Sequence, residues 1–358
     1  MSNRSKTEAH CVGTGFVALD IIRSAVDANT TLERRHAGGT CGNVLAILAY
    51  LGMRATAVGR IGADPAANEV RADLHQWKVD LQLLAPEPGC RTPIVVQESY
   101  LDAKGRPKHR FSRECPVCGA RMPAYRPLLV ADVGEIASAL APHGCFFFDR
   151  VAPGVLELAK RSRQQGALVV FEPSGVKDER LFVECLRAAH VFKYSHERLT
   201  GIDDLVAEGR PTVEIETRGS EGLRFRSWRA GRRSVWIELG AVPAPALRDS
   251  AGSGDWCSAG FLAKMRGAGV ENGLGLGDVG RVREALRFGQ ALAALNCAYD
   301  GARGLMYAMS RVQVHRAAQR LLANETPRLA ALRSPQPRSS SSDRTCIVCT
   351  SERQVTQS

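Results

Sequence analysis

An α/β architecture, with a mostly parallel central sheet and helices packed on both faces, is the expectation this 358-residue chain raises. Three features raise it. Short apolar runs of strand length alternate with stretches of helical spacing, the pattern of strand–helix–strand units. With 44% hydrophobic residues the chain can bury a large core, as one big domain or two. Two glycine-rich segments, near 38–42 and 249–255, each lead straight into an apolar run, as turns between strands and helices do.

The elements follow in order. Residues 1–9 read as a loose leader and 10–17 as a first strand, with Asp20 at its end. Further strands are expected at 56–59, 145–149, 167–171, 190–194 and 212–217, and helices near 66–77, 153–165 and 178–187. Residues 92–112 break the alternation and read as a hairpin with Gly105 in its turn. A second hairpin pairs 223–228 with 234–239 through Ala230-Gly231, and helices near 280–298 and 310–322 complete the series. From Arg333 onward Ser, Pro and Arg dominate, so the tail is expected to be disordered.

Composition narrows the function classes. No apolar stretch approaches the ~20 residues a membrane helix needs. The opening MSNRSKTEAH has no apolar signal core, so a cytoplasmic protein is expected. Most of the eleven cysteines stand singly in apolar contexts (Cys145, Cys185 and Cys297 among them), as reduced core residues do. A net charge of +11 favours anionic partners without choosing between nucleotides, phosphosugars and nucleic acid.

The most informative stretch is Asp249-Ser250-Ala251-Gly252-Ser253-Gly254-Asp255. Glycine lets its backbone take angles closed to other residues. The N–H groups of such a turn can converge on an anion, and a helix start adds partial positive charge. Cys257, Phe261 and Met265 recur every four residues with Leu262 beside them, which predicts that helix, and Gly267 and Gly269 end it. A carboxylate at the mouth of an anion cradle is suited to taking the proton from a hydroxyl that attacks a phosphoryl group. The bland alternative is a glycine-rich loop whose Asp255 merely caps a helix.

A second segment bears on that choice. Gly38-Gly39-Thr40-Cys41-Gly42-Asn43 opens the apolar run 44–51, and Ala57-Val58-Gly59-Arg60-Ile61-Gly62-Ala63-Asp64 follows. This resembles the amino-terminal signature of the ribokinase, or PfkB, family of carbohydrate kinases. The stretch 249–262 resembles that family's carboxy-terminal signature, with Ser250 for threonine, Ser253 for alanine and Trp256 for a small residue. The two signatures together are far more specific than either alone, and the resemblance spans about residues 10–325. It implies a ribokinase-like kinase domain over 10–328, with small β-lid strands near 18–37 and 92–113; a cysteine loop at 114–123 and a tail over 329–358 are read beside it.

The resemblance also implies roles. Asp255 matches the general base, and Ala251, Gly252, Ser253 and Gly254 match the backbone pocket for the transferring phosphate. Asp20, Gly39 and Asn43 match positions that meet the sugar; without the resemblance, Asp20 reads as a turn residue and Asn43 as a helix cap. Thr217, Gly219 and Gly222 match a turn that approaches ATP, and Asn296 lies on the helix that borders adenine; a bare turn and a helix-face asparagine are the simpler readings. Ser195 opens a weak match to a motif whose glutamate helps order Mg2+. Arg198 stands at that glutamate's position, and Glu197 falls one residue early. ATP and Mg2+ are the implied cofactors, a sugar or nucleoside the implied substrate, and lid pairing would make a homodimer.

Two cysteine pairs stand outside the resemblance. Cys115-Pro116-Val117-Cys118-Gly119 has the form of a zinc knuckle, and Cys346 and Cys349 form a second pair in the tail. They read either as one four-cysteine zinc site or as unrelated pairs, more than two hundred residues apart. Two rival functions remain open. Gly13, Gly15 and Ala18 fit a dinucleotide fingerprint with Glu33 about twenty residues on, although no good helix follows. A non-enzymatic module using the knuckle and positive charge would instead bind protein or RNA. The retained Asp255, Gly252 and Gly254 favour an enzyme, so no nucleic-acid or membrane partner is expected.

Overall fold

The computed structural model describes residues 9–25, 31–84, 86–101, 107–115, 118–265 and 275–330. In chain order the elements are β1 (His10–Thr14), β2 (Ala18–Ala25), β3 (Thr31–Gly38), α1 (Thr40–Tyr50), β4 (Arg54–Val58), β5 (Ile61–Gly62), α2 (Pro65–Gln76), β6 (Pro86–Glu87), β7 (Ile94–Leu101) and β8 (Pro107–Ser112). There follow α3 (Val133–Ala139), β9 (Cys145–Phe148), α4 (Pro153–Gln164), β10 (Leu168–Phe171), α5 (Glu179–Ala188), β11 (Val191–Ser195), α6 (Asp203–Gly209) and β12 (Val213–Thr217). The last group is β13 (Leu223–Arg229), β14 (Arg232–Arg233), β15 (Ile237–Leu239), α7 (Ser253–Met265), α8 (Val279–Asn296), α9 (Gly304–Ala308) and α10 (Arg311–Leu322).

The main sheet runs β14-β13-β12-β11-β10-β9-β1-β4, with β15 also on β13. The six strands from β12 to β4 are parallel, and β13 to β15 add an antiparallel edge. Period-two alternation divides the strand residues between two cores. Val12, Phe146, Phe148, Phe171 and Phe192 join one cluster with residues of α4 and α5. Cys11, Ala55, Phe147, Val170 and Val191 join the other with α1, α7 and α8. Both faces are therefore covered, which is why these strands read as continuous apolar runs rather than alternating ones.

A separate four-stranded sheet, ordered β3-β2-β7-β8, forms the lid. The first strand stops earlier than expected, at Thr14, and Asp20 lies inside β2, opposite His36 of β3. Gly15 makes the break. Its φ is +144°, and a Cβ there would lie 1.7 Å from Asp149 Oδ1, so the chain must turn out of the main sheet at a residue without a side chain. The apolar pair Phe16-Val17 hid this break in the pattern. The turn expected at Ala230-Gly231 is present, with φ of 47° and 76°, and joins β13 to the two-residue β14. Gly105, Gly267, Gly269 and the tail from Arg333 lie outside the described residues. Among the described residues no helix is long and apolar enough to cross a membrane.

Candidate active site

The chain turns towards a common rim wherever a parallel strand ends. Gly15 follows β1, Asp149 follows β9, Glu172 follows β10, and β11 and β12 end on Ser195 and Thr217. From β1 the chain first goes to β4 on one side, and only later to β9 on the other. That reversal opens a crevice at the carboxyl ends of the strands, where such sheets bind ligands. Asp149 spans it, accepting the Phe16 N–H at 2.7 Å.

Helix α7 begins in this crevice. Gly252 has φ +73° and packs so closely that a Cβ would lie 2.4 Å from the Ala302 carbonyl oxygen. Ser253 N–H returns to Ser250 and Trp256 N–H to Gly252. The first amides of a helix have no intrahelical acceptor. Those of Gly254 and Asp255 therefore remain for an anion, with no backbone acceptor among the described residues. The turn is braced from both sides. Asp249 Oδ1 accepts the Ala251 N–H at 2.9 Å, and Asn296 Nδ2 donates to the Ala251 carbonyl at 3.1 Å.

Asp255 accepts a 2.8 Å hydrogen bond from Asn43 Nδ2. Its carboxyl is pushed up to about 8, chiefly by burial and then by nearby Glu172, against the opposing pull of Asn43, Lys193 and Arg198. Asn43 sits one turn into α1, its N–H bonded to the Gly39 carbonyl. Asp20 lies beyond, against the backbone of Gly38 and Gly39. Burial raises its carboxyl to about 7, with Arg303 and the Gly39 N–H opposing. Asp20, Gly39, Asn43, Asp255 and the 251–254 turn thus form one continuous line from lid to main sheet.

Behind the turn lies a buried pair that the sequence reading missed. Lys193 Nζ pairs with Glu172 and donates to the Gly254 carbonyl at 3.2 Å. Ser258 donates to Glu172 and, at 3.1 Å, to Gly254. Burial alone would lower the Lys193 ammonium, but Glu172 overrides it and holds the pKa above its usual value. One signal was available: charged residues rarely enter fully apolar strand runs, yet Lys193 follows Val191-Phe192 and Glu172 follows Leu168–Phe171.

Three residues expected at the nucleotide have structural partners as well. Asn296 is fully buried; its amide nitrogen serves Ala251 and Gly301, and its oxygen accepts the Leu305 N–H. It holds the turn. Thr217 spends its hydroxyl on the Tyr194 carbonyl. A Cβ on Gly222 would lie 2.2 Å from the Leu239 carbonyl, so hairpin packing accounts for that glycine. Ser195 ends β11 and Gly219 opens a short turn at the same rim, and Glu197 is exposed beside Gly219. Cys115 is buried and Cys118 exposed. No group of three or more His, Cys, Asp or Glu able to hold a metal occurs among the described residues, so the knuckle finds no third ligand there; Cys346 and Cys349 lie outside them.

A doubly covered parallel sheet, a small separate sheet and a glycine-led helix start carrying a carboxyl on its first turn are the architecture of the ribokinase-like fold. Residues 15–104 match the model of the pfkB family carbohydrate kinases. A fructokinase of Klebsiella pneumoniae is 29% identical over 66% of this chain and 79% of its own length. An ATP-dependent ribose-1-phosphate kinase of Halopiger xanaduensis is 25% identical over 77% and 86%. The fructokinase of Xylella fastidiosa, solved with bound ATP, superposes with a TM-score of 0.65 at 18% identity, over 87% of this chain and 98% of its own. The family match and these relatives support a member of the ribokinase/PfkB family.

Proposed function

We propose that the protein transfers the terminal phosphoryl group of ATP to a hydroxyl of a sugar or sugar-like polyol, with Asp255 as general base. The observation that carries this is Asp255 itself: a carboxyl raised to about 8, set on the first turn of α7 beside amides without a backbone acceptor. Its pKa lies near neutrality, where a base both takes and releases a proton readily.

The residues divide the work. Asp20 and Asn43 would orient the acceptor, since a carboxylate accepts from two hydroxyls and an amide both gives and accepts. Asn43 Oδ1 is buried without a partner, and an acceptor hydroxyl would satisfy it. Asn43 Nδ2 holds Asp255 in register. The amides of Gly254 and Asp255 would meet the charge on the migrating phosphoryl group. Lys193 holds the Gly254 carbonyl and so keeps the helix start from shifting. Mg2+ neutralises phosphate charge in such reactions, held mainly by the phosphates and water with one or two carboxylates; exposed Glu197, beside the 219 turn, fits that need.

A nucleoside acceptor is the variant within this reading. The test is a panel of sugars, polyols and nucleosides assayed by ATP consumption. The outcome expected is saturable turnover on at least one sugar or polyol. Turnover confined to nucleosides would shift the acceptor class, and no turnover on any would sink the proposal.

A further inference from the structure

A buried hydrogen bond joins the lid to the turn that begins α7. Gln97 stands on β7, beside Ile22 of β2 and opposite Phe111 of β8. Its Nε2 donates to Asp249 Oδ2 at 2.7 Å. Gln97 is 3% exposed and Asp249 4%. The same carboxylate accepts the Ala251 N–H at 2.9 Å through Oδ1 and the Gly301 N–H at 2.9 Å through Oδ2. Asp249 is thus the joint between a lid strand, the turn that begins α7, and the segment before α9. Two contacts reinforce the joint: Arg34 of β3 lies 3.6 Å from Asp300, and Ile22 packs where a Cβ on Gly301 would lie 2.5 Å from it.

We propose that Gln97 is a positioning residue that couples the seating of the lid to the geometry of the phosphate-binding turn, acting through Asp249; this rests on the kinase reading above. The physical ground is the choice of side chain. A lid strand needs only apolar surface to pack on the body, and an amide buried there costs free energy unless it is hydrogen-bonded. This amide is bonded to the one carboxylate that also fixes Ala251. With the lid seated, Asp249 accepts from Gln97 as well as from the Ala251 and Gly301 N–H groups, and Ala251 is held at both its N–H and its carbonyl. With the lid lifted, Asp249 loses a donor, and the turn loses part of what aims its amides. Acceptor binding under the lid thereby favours a formed phosphate pocket, and ATP meets it mainly when an acceptor is present. That is specificity obtained by closure.

The experiment compares wild type, Gln97→Leu, Asp249→Asn and the double variant for kcat, both KM values and melting temperature. Leucine keeps the size of the side chain and removes the donor. The expected result for Gln97→Leu is a fall in kcat of about tenfold or more, with both KM values within about threefold and the melting temperature little changed. The double variant should lose little beyond Asp249→Asn alone, because the two residues act as one unit. An unchanged kcat, multiplying losses in the double variant, or a higher acceptor KM at unchanged kcat would each overturn the proposal. Failure of wild type to phosphorylate any acceptor is a separate result, which removes the kinase reading itself.

Discussion

Asp255 carries opposite consequences for turnover and stability. As a base it works only when ionised, so kcat/KM should rise with pH and level off above an apparent pKa near 8. A pH–rate profile checks this, and a limb near 4 would show that the carboxyl is not shifted in the working enzyme. Stability runs the other way. The folded protein keeps a proton on Asp255 up to about pH 8, whereas an unfolded aspartate releases it near 4. The folded state therefore binds more protons across this window, and stability falls as pH rises through it. Asp255→Asn removes the ionisation and can still accept from Asn43. The variant should lose at least ~1000-fold in kcat and melt a few degrees higher than wild type at pH 8. A variant with near-normal turnover would remove Asp255 from the mechanism.

At the scale of the element, the start of α7 is held in shape by Gly252. Its φ of +73° and the Ala302 carbonyl at 2.4 Å from a notional Cβ oppose any side chain. Gly252→Ala should cost about 1–3 kcal/mol. It should also lower kcat more than it raises the KM for ATP, since displaced amides weaken contacts made in the transition state. Thermal melts and steady-state kinetics on one preparation test both halves. Intact kinetics alongside a lowered melting temperature would make the turn structural only.

For the whole molecule, one anchor between lid and body is the group around Asp73. Asp73 Oδ2 accepts the Ala37 N–H of β3 at 3.0 Å and pairs with Arg303, while Oδ1 accepts from Tyr307 at 2.9 Å. Burial works against the ionised carboxyl, yet Arg303 beside it keeps the pKa below its usual value. Removing one member of such a pair strands the other charge. Asp73→Ala should therefore destabilise by about 3–5 kcal/mol, read as a lower denaturant midpoint, whereas Asp73→Asn should lose less. Equal midpoints for Asp73→Ala and wild type would show that the lid is held elsewhere.

Local patterns settled the α/β class and most strand and helix positions, because apolar periodicity depends on residues near in sequence; Asp255 stood out by the glycines beside it, and Asp20, Gly39 and Asn43 only through the resemblance. Local patterns missed what depends on distant partners. Gly15 ends β1 because Asp149, far along the chain, fills the space where its Cβ would be. Asn296 serves Ala251, 45 positions away. Glu172 and Lys193 become neighbours of Asp255 only when β10 and β11 lie side by side, and Gln97 meets Asp249 across 152 positions. Hydrogen-bond partners of buried polar groups are fixed by packing in three dimensions, and no spacing along the chain encodes them.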